Sequence, residues 1–283
     1  MTLTVFSAVI FAALLHAGWN ALVRGGRDKT TSMAAVVAGQ ALFGGCLAAV
    51  LPLPAPESWP WIASGVVLHI GYQFFLSAAY RTGELSEVYP LARGTAPLLV
   101  AITSVTILGI TLGPFEWIGV ILISCGLASL VIVRSNGRFQ LPARGTLMAL
   151  GTSVFIAAYS LNDGFGARLS GSPVAFFGWL ALINGLVFTS ILPFWRPGAL
   201  RALPGAWPVV VIGGGASFAA YALVVWAFTQ APIATVSALR ETSILFALAI
   251  GVGLMGEKVN LRRLVAVFLT LLGAIALRLG KSS

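Results

Sequence analysis

Three apolar stretches of this chain each carry polar groups beside an aromatic ring at helical spacing. His16, Trp19 and Asn20 form one set, His69, Tyr72 and Gln73 the second, and Tyr159, Asn162 and Asp163 the third. Positions i, i+3 and i+4 share one helix face, so each set points one way. Rings beside amide and imidazole groups can pack an apolar solute and hydrogen-bond its polar end. Covalent chemistry asks for more: no Ser/His/Asp set with a water-excluding pocket is recognisable. The alternative is that these residues are interhelical hydrogen bonds and interfacial ring anchors. Three such sets together favour a cavity lining that includes Tyr72, Gln73 and Tyr159.

Arg93 and Arg240 lie inside apolar runs. A guanidinium can grip a carboxylate with two parallel hydrogen bonds, so a substrate carboxylate is one reading. Pairing with an acid such as Glu241 or Glu87, or reaching out to headgroups, is the other. Glu241, Glu87, His16 and His69 are the candidates to carry a proton. Gly251, Gly253 and Gly256 spell G-x-G-x-x-G, but inside an apolar run rather than between a strand and a helix. Helix packing explains them better than a dinucleotide. There is no phosphate-binding G-x-x-x-x-G-K-[ST] motif, and two histidines with two separated cysteines do not make a metal site. No cofactor is expected, and no enzymatic activity.

The elements that position these groups follow from composition. Of 283 residues, 58% are hydrophobic and 9% charged, and the mean hydropathy is +0.97. No soluble domain approaches this. Ten runs are long enough to cross hydrocarbon at roughly 20 residues each. They fall near 3–23, 31–51, 60–80, 86–108, 114–133, 145–167, 172–194, 207–229, 233–254 and 260–280, the fourth and ninth interrupted by charge. The expected fold is an all-α bundle, since lipid-exposed backbone must satisfy itself. Residues 1 to 23 lack a basic leader and continue as a full span, so no cleaved signal peptide is expected. Cys46 and Cys125 lie within apolar runs and read as two buried thiols rather than a disulfide.

A faint internal echo recurs about 147 residues on. Ala79-Tyr80-Arg81-Thr82-Gly83 sits opposite Ala227-Phe228-Thr229-Gln230-Ala231, and Leu91-Ala92-Arg93-Gly94-Thr95 opposite Ala238-Leu239-Arg240-Glu241-Thr242. This matches Arg93 with Arg240 and puts Tyr221 opposite Gln73, with Trp226 nearby. Two copies of five spans enter the membrane from opposite faces, giving inverted repeats, 1–140 and 141–283, around a midplane cavity. The expected lining is Trp19, Asn20, His69, Tyr72, Gln73, Arg93, Tyr159, Tyr221, Trp226 and Arg240. Pro90 and Pro97 and the matched arginines suggest that the fourth and ninth spans line the pathway, with Thr95 and Thr242 open to water.

Seventeen Lys and Arg stand against eight acids, a net charge of +9. The cations punctuate apolar runs, so they point to anionic lipid headgroups rather than nucleic acid. Connections after spans 1, 3, 5, 7 and 9 hold twelve of them; the other side, with both termini, holds Arg168, Arg278 and Lys281. Cations collect in cytoplasmic loops, so both termini are expected in the periplasm. Charge also changes sides between the halves, as inversion requires.

The chain resembles the drug/metabolite transporter superfamily, in its ten-span members built of two EamA-type repeats. The resemblance rests on His16-Ala17-Gly18-Trp19-Asn20, Pro90-Leu91-Ala92-Arg93-Gly94-Thr95-Ala96-Pro97, and Leu239-Arg240-Glu241-Thr242 followed by Gly256-Glu257. Gly109-Ile110 stands at the matching place in the first half. The resemblance implies movement of small metabolites or drugs, commonly export, through a cavity between the repeats, with YddG-type exporters of aromatic and other neutral amino acids as the nearest analogy. Many such relatives are drawn with cytoplasmic termini; the cation count here argues otherwise. The expected partners are a small-molecule substrate, an amino acid by preference, and membrane lipids, with no nucleic acid. A monomer is expected, a homodimer being the alternative, in a bacterial-type inner membrane. A drug exporter is the second reading and an intramembrane enzyme a distant third.

Overall fold

The computed structural model describes residues 1–24, 29–82, 85–132, 143–195, 197–256 and 260–280, and these contain no strand. The principal helices are α1 (Leu3–Arg24), α2 (Lys29–Val50), α3 (Trp59–Thr82), α4 (Leu85–Thr106), α5 (Pro114–Ile132), α6 (Ala143–Leu169) and α7 (Pro173–Trp195). A short α8 (Ala199–Ala202) precedes a π-turn (Val209–Gly213) that runs into α9 (Gly214–Phe228), followed by α10 (Ile233–Arg240), α11 (Ser243–Met255) and α12 (Leu261–Leu279). Each of the ten expected runs falls on helix, the ninth divided between α10 and α11. Seven helical stretches are long and apolar enough to cross a membrane; α4, α5 and α12 fall outside that set.

Local signals set the ends. Prolines open α5 and α7, where a missing N–H is no loss. Asn260 caps α12, its side chain accepting the Arg263 N–H at 3.0 Å. Gly256, at φ +65°, takes the left-handed turn that stops α11.

The division of the ninth run has a visible cause. The Glu241 and Thr242 N–H groups donate to Ala238 and Leu239, three residues back, at 3.0 and 3.1 Å. Ile244 and Leu245 repeat the pattern onto Glu241 and Thr242. The helix therefore tightens by a turn at Arg240–Glu241–Thr242 and restarts. Such a break survives at membrane depth only where protein covers it, and all three residues are buried.

Helices pair in a regular way: α1 on α9, α3 on α6, α2 on α7, and α5 on α12, with α4 against α5 and α6. Small residues allow the closest approaches. A methyl group on Gly119 or on Gly273 would sit 2.9 Å from the other residue's carbonyl oxygen, so α5 and α12 touch backbone to backbone. The outer faces carry large apolar side chains, among them Phe11, Val67, Phe194, Phe268 and Ile275. A belt of this kind is untenable in water and matches lipid tails, making the chain a multi-pass integral membrane protein. Cys46 and Cys125 are free and lie on this outer surface, not buried as composition suggested.

Connections on one face touch in series. Ala55 donates its N–H to Ser170 O at 3.0 Å. Arg168 donates to Phe228 O and Ala231 O at 2.9 and 3.1 Å, and Thr235 reaches Glu116 at 3.3 Å. Arg278 donates to Met1 O at 3.3 Å, which brings the ends of α1 and α12 together.

Candidate functional site

A cavity lies at the centre of the bundle and opens on one side. Helix α1 contributes His16 and Trp19, α2 Gln40, α3 His69, Tyr72 and Gln73, and α4 Arg93. From the second half come Tyr159 of α6, Phe177 and Asn184 of α7, Ser217 and Tyr221 of α9, and Arg240 of α10. Both halves thus wall one space.

Rings form one wall. Tyr159 stacks on His69 with centroids 4.4 Å apart, and Tyr72 meets Tyr159 edge-on at 5.6 Å. Tyr221 lies edge-on to His69, Tyr159 and Phe177 at 5.7, 5.9 and 5.0 Å. A charged cluster adjoins the rings. Glu241, 1% exposed, accepts from Arg93 Nε at 2.7 Å and lies 3.5 Å from Arg240 Nε. One carboxylate thus faces two guanidiniums, and the Arg240 guanidinium also sits 5.9 Å over the Tyr221 ring.

Buried polar atoms are nearly always hydrogen-bonded. Around this cavity, several have no partner in the protein: Trp19 Nε1, Gln73 Oε1, Asn184 Oδ1 and Arg240 Nη2. Each of these four residues lines the cavity. Beneath the rings lies Asp163, wholly buried. Its Oδ2 contacts His69 Nε2 and accepts from Tyr221 OH, both at 2.8 Å. Asn162 donates to its other oxygen at 3.1 Å and is itself held by Trp61 O and the Ser64 hydroxyl.

Of the expected lining residues, Trp19, His69, Tyr72, Gln73, Arg93, Tyr159, Tyr221 and Arg240 meet here. Asn20 and Trp226 do not line the cavity. Asn20 donates back to His16 O on its own helix at 2.7 Å, and Trp226 packs against the main apolar core. Thr95 and Thr242 also lie elsewhere. Thr95 borders a separate groove beside Cys125, while Thr242 is buried with its hydroxyl on Leu239 O. Glu257 and the loop cations Arg27, Arg134, Arg138, Arg196, Lys258 and Lys281 lie outside the described residues, as does the Glu87 side chain. Sequence reasoning named His16 as a proton-carrier candidate but not among the lining residues, and it left out Gln40, Asn184 and Ser217. Gln40 and Asn184 were legible as lone amides in apolar runs. Among the described residues no group of three His, Cys, Asp or Glu is placed to hold a metal.

Residues 143–279 match the EamA-like transporter family. The EamA-like match covers the second half, α6 to α12. A solved crystal structure superposes on the chain with a TM-score of 0.76 at 21% identity, covering 96% of this chain and 98% of that one. At that identity the likeness concerns the fold, and it extends beyond the EamA-like half to the whole bundle. No curated protein matches the chain.

Proposed function

We propose that this protein is a secondary transporter that exports neutral amino acids, aromatic or large apolar ones by preference, by alternating access across a bacterial-type inner membrane. In this reading ten spans form two five-helix repeats of opposite orientation, 1–140 and 141–283. The EamA-like match to the second half alone supports a repeat boundary near residue 141. Helix pairing supports the twofold relation. If α1 corresponds to α6 and α3 to α9, then the α1–α9 pair maps onto α6–α3, while α2–α7 and α5–α12 map onto themselves. The tightened turn at Glu241 breaks the second-half element, and its counterpart α4 carries Pro90 and Pro97 within a continuous helix; broken helices are the usual place for a binding site in inverted-repeat carriers.

The observation that carries the substrate reading is the set of residues with unpaired groups that line one cavity beside a ring wall. Arg240 offers a charged fork to a carboxylate, Gln73 and Asn184 offer oxygens to an ammonium group, and the rings pack an apolar side chain. In proteoliposomes holding only this protein, labelled phenylalanine should exchange across the bilayer. Tyr72→Ala and Gln73→Ala should each slow that exchange by about tenfold with folded yield unchanged. A parent that moves no phenylalanine ends the amino-acid reading. Uptake of a cationic dye by that parent would favour a drug exporter, which the guanidinium already lodged over the Tyr221 ring commends.

A further inference from the structure

Asp163 is wholly buried, and the substrate reading leaves it without a role. Its Oδ1 is anchored by Asn162, leaving Oδ2 to share with His69 and Tyr221, both of which line the cavity. The His69 ring is 14% exposed, so one side of it is wet while the other is tied to a carboxylate that solvent does not reach. We infer that the His69–Asp163 pair is the coupling-proton site of the transporter, which exchanges one proton for one substrate molecule. This deepens the transport reading and rests on it.

The argument is one of charge. An isolated carboxylate at this depth is costly unless a cation accompanies it. With His69 neutral the pair is a net anion. When the ring nitrogen not facing Asp163 takes a proton from cavity water, the pair becomes internally balanced. A substrate ammonium entering beside the rings supplies the same compensation and releases that proton to water. Proton and substrate then exclude each other at one site, which is the condition for antiport.

The groups facing the pair bear this out. From α6 come Tyr159 and Asp163 itself, and from α9 Tyr221, all neutral or accounted for. Helix α7 presents Phe177, edge-on to Tyr221, and has no ionisable residue. The 3-10 turn Pro56–Ser58 holds an exposed Glu57. Arg93 and Arg240 border the same cavity but are engaged by Glu241, and His16 is the other titratable ring there. Among the described residues, His69 is the titratable cation in contact with Asp163.

Two measurements test this. With the membrane potential held at zero, a pH step of one unit across proteoliposomes should drive about tenfold phenylalanine accumulation by the parent, the limit for one-proton exchange. Asp163→Asn should abolish accumulation while exchange at equal pH, slowed, stays measurable. Parent liposomes that exchange phenylalanine without responding to the pH step overturn the coupling and leave the substrate reading standing. The second measurement needs no substrate. The chain has two histidines, so ¹⁵N-histidine labelling gives two imidazole signals, assigned with His16→Gln. The His69 signal should respond to pH in the parent and lose that response in Asp163→Asn. A His69 signal fixed in one protonation state in the parent overturns the proposal, even if phenylalanine proves not to be moved. If Asp163→Asn does not fold, the parent titration and the parent's response to the pH step still decide it.

Discussion

Glu241 meets two guanidiniums while 1% exposed, so its charge organises one wall of the cavity. Glu241→Gln leaves two buried cations facing each other and should cost about 3–5 kcal/mol of stability, read as a lower unfolding temperature in detergent. Adding Arg93→Gln to that variant should recover part of the loss, because the charges are removed together; an additive double mutant would mean that the contact carries no energy. Arg240→Lys keeps the charge but loses the planar fork, and should slow phenylalanine exchange by about tenfold with the fold intact. At this scale the sequence was informative wherever one helix face carried the pattern, as with His69, Tyr72 and Gln73. Asp163 belonged to such a set. Its meaning comes from His69 and Tyr221 converging on it from two other helices, which spacing along one helix cannot reveal.

Elements were more legible than contacts, because a bilayer demands long apolar runs and each of the ten fell on helix. Charge inside the ninth run hinted at its interruption, and the structure locates the tightened turn at Arg240–Glu241–Thr242. The neighbouring threonines were misplaced for a geometric reason. One residue along a helix turns the side chain by roughly 100°, so Arg93 and Arg240 can face the cavity while Thr95 and Thr242 face away. Helix crossings offer a test that sequence alone could not frame. A methyl group at Gly273 meets Ile123 Cγ1 at 2.6 Å and Gly119 O at 2.9 Å, whereas one at Gly253 meets nothing within 4 Å. Gly273→Ala should therefore cost about 1–3 kcal/mol, and Gly253→Ala should stay within about 0.5 kcal/mol. Equal thermal stability of the two variants would mean that α5 and α12 do not approach as closely as drawn.

At the scale of the molecule, orientation ties the charge pattern to the packing. Contacts run from Ala55 to Ser170, from Arg168 to Ala231, from Thr235 to Glu116, and from Arg278 to Met1. The connections after α2, α4, α6 and α9, with both chain ends, therefore share one face. On that face the sequence places three cations, Arg168, Arg278 and Lys281, against twelve in the remaining connections. Arg168 is moreover spent on the carbonyls that end α9 rather than offered to headgroups. Since cytoplasmic connections collect Lys and Arg, the cation-poor face, and both termini with it, should lie in the periplasm. A reporter active only in the cytoplasm, fused after Ser283, should give little signal, and one placed between α7 and α9, beside Arg201, should give a strong one. A strong signal from the C-terminal fusion would turn the bundle over. Cation count would then have yielded to some other determinant of insertion, and the cavity would present its two ends to the opposite compartments.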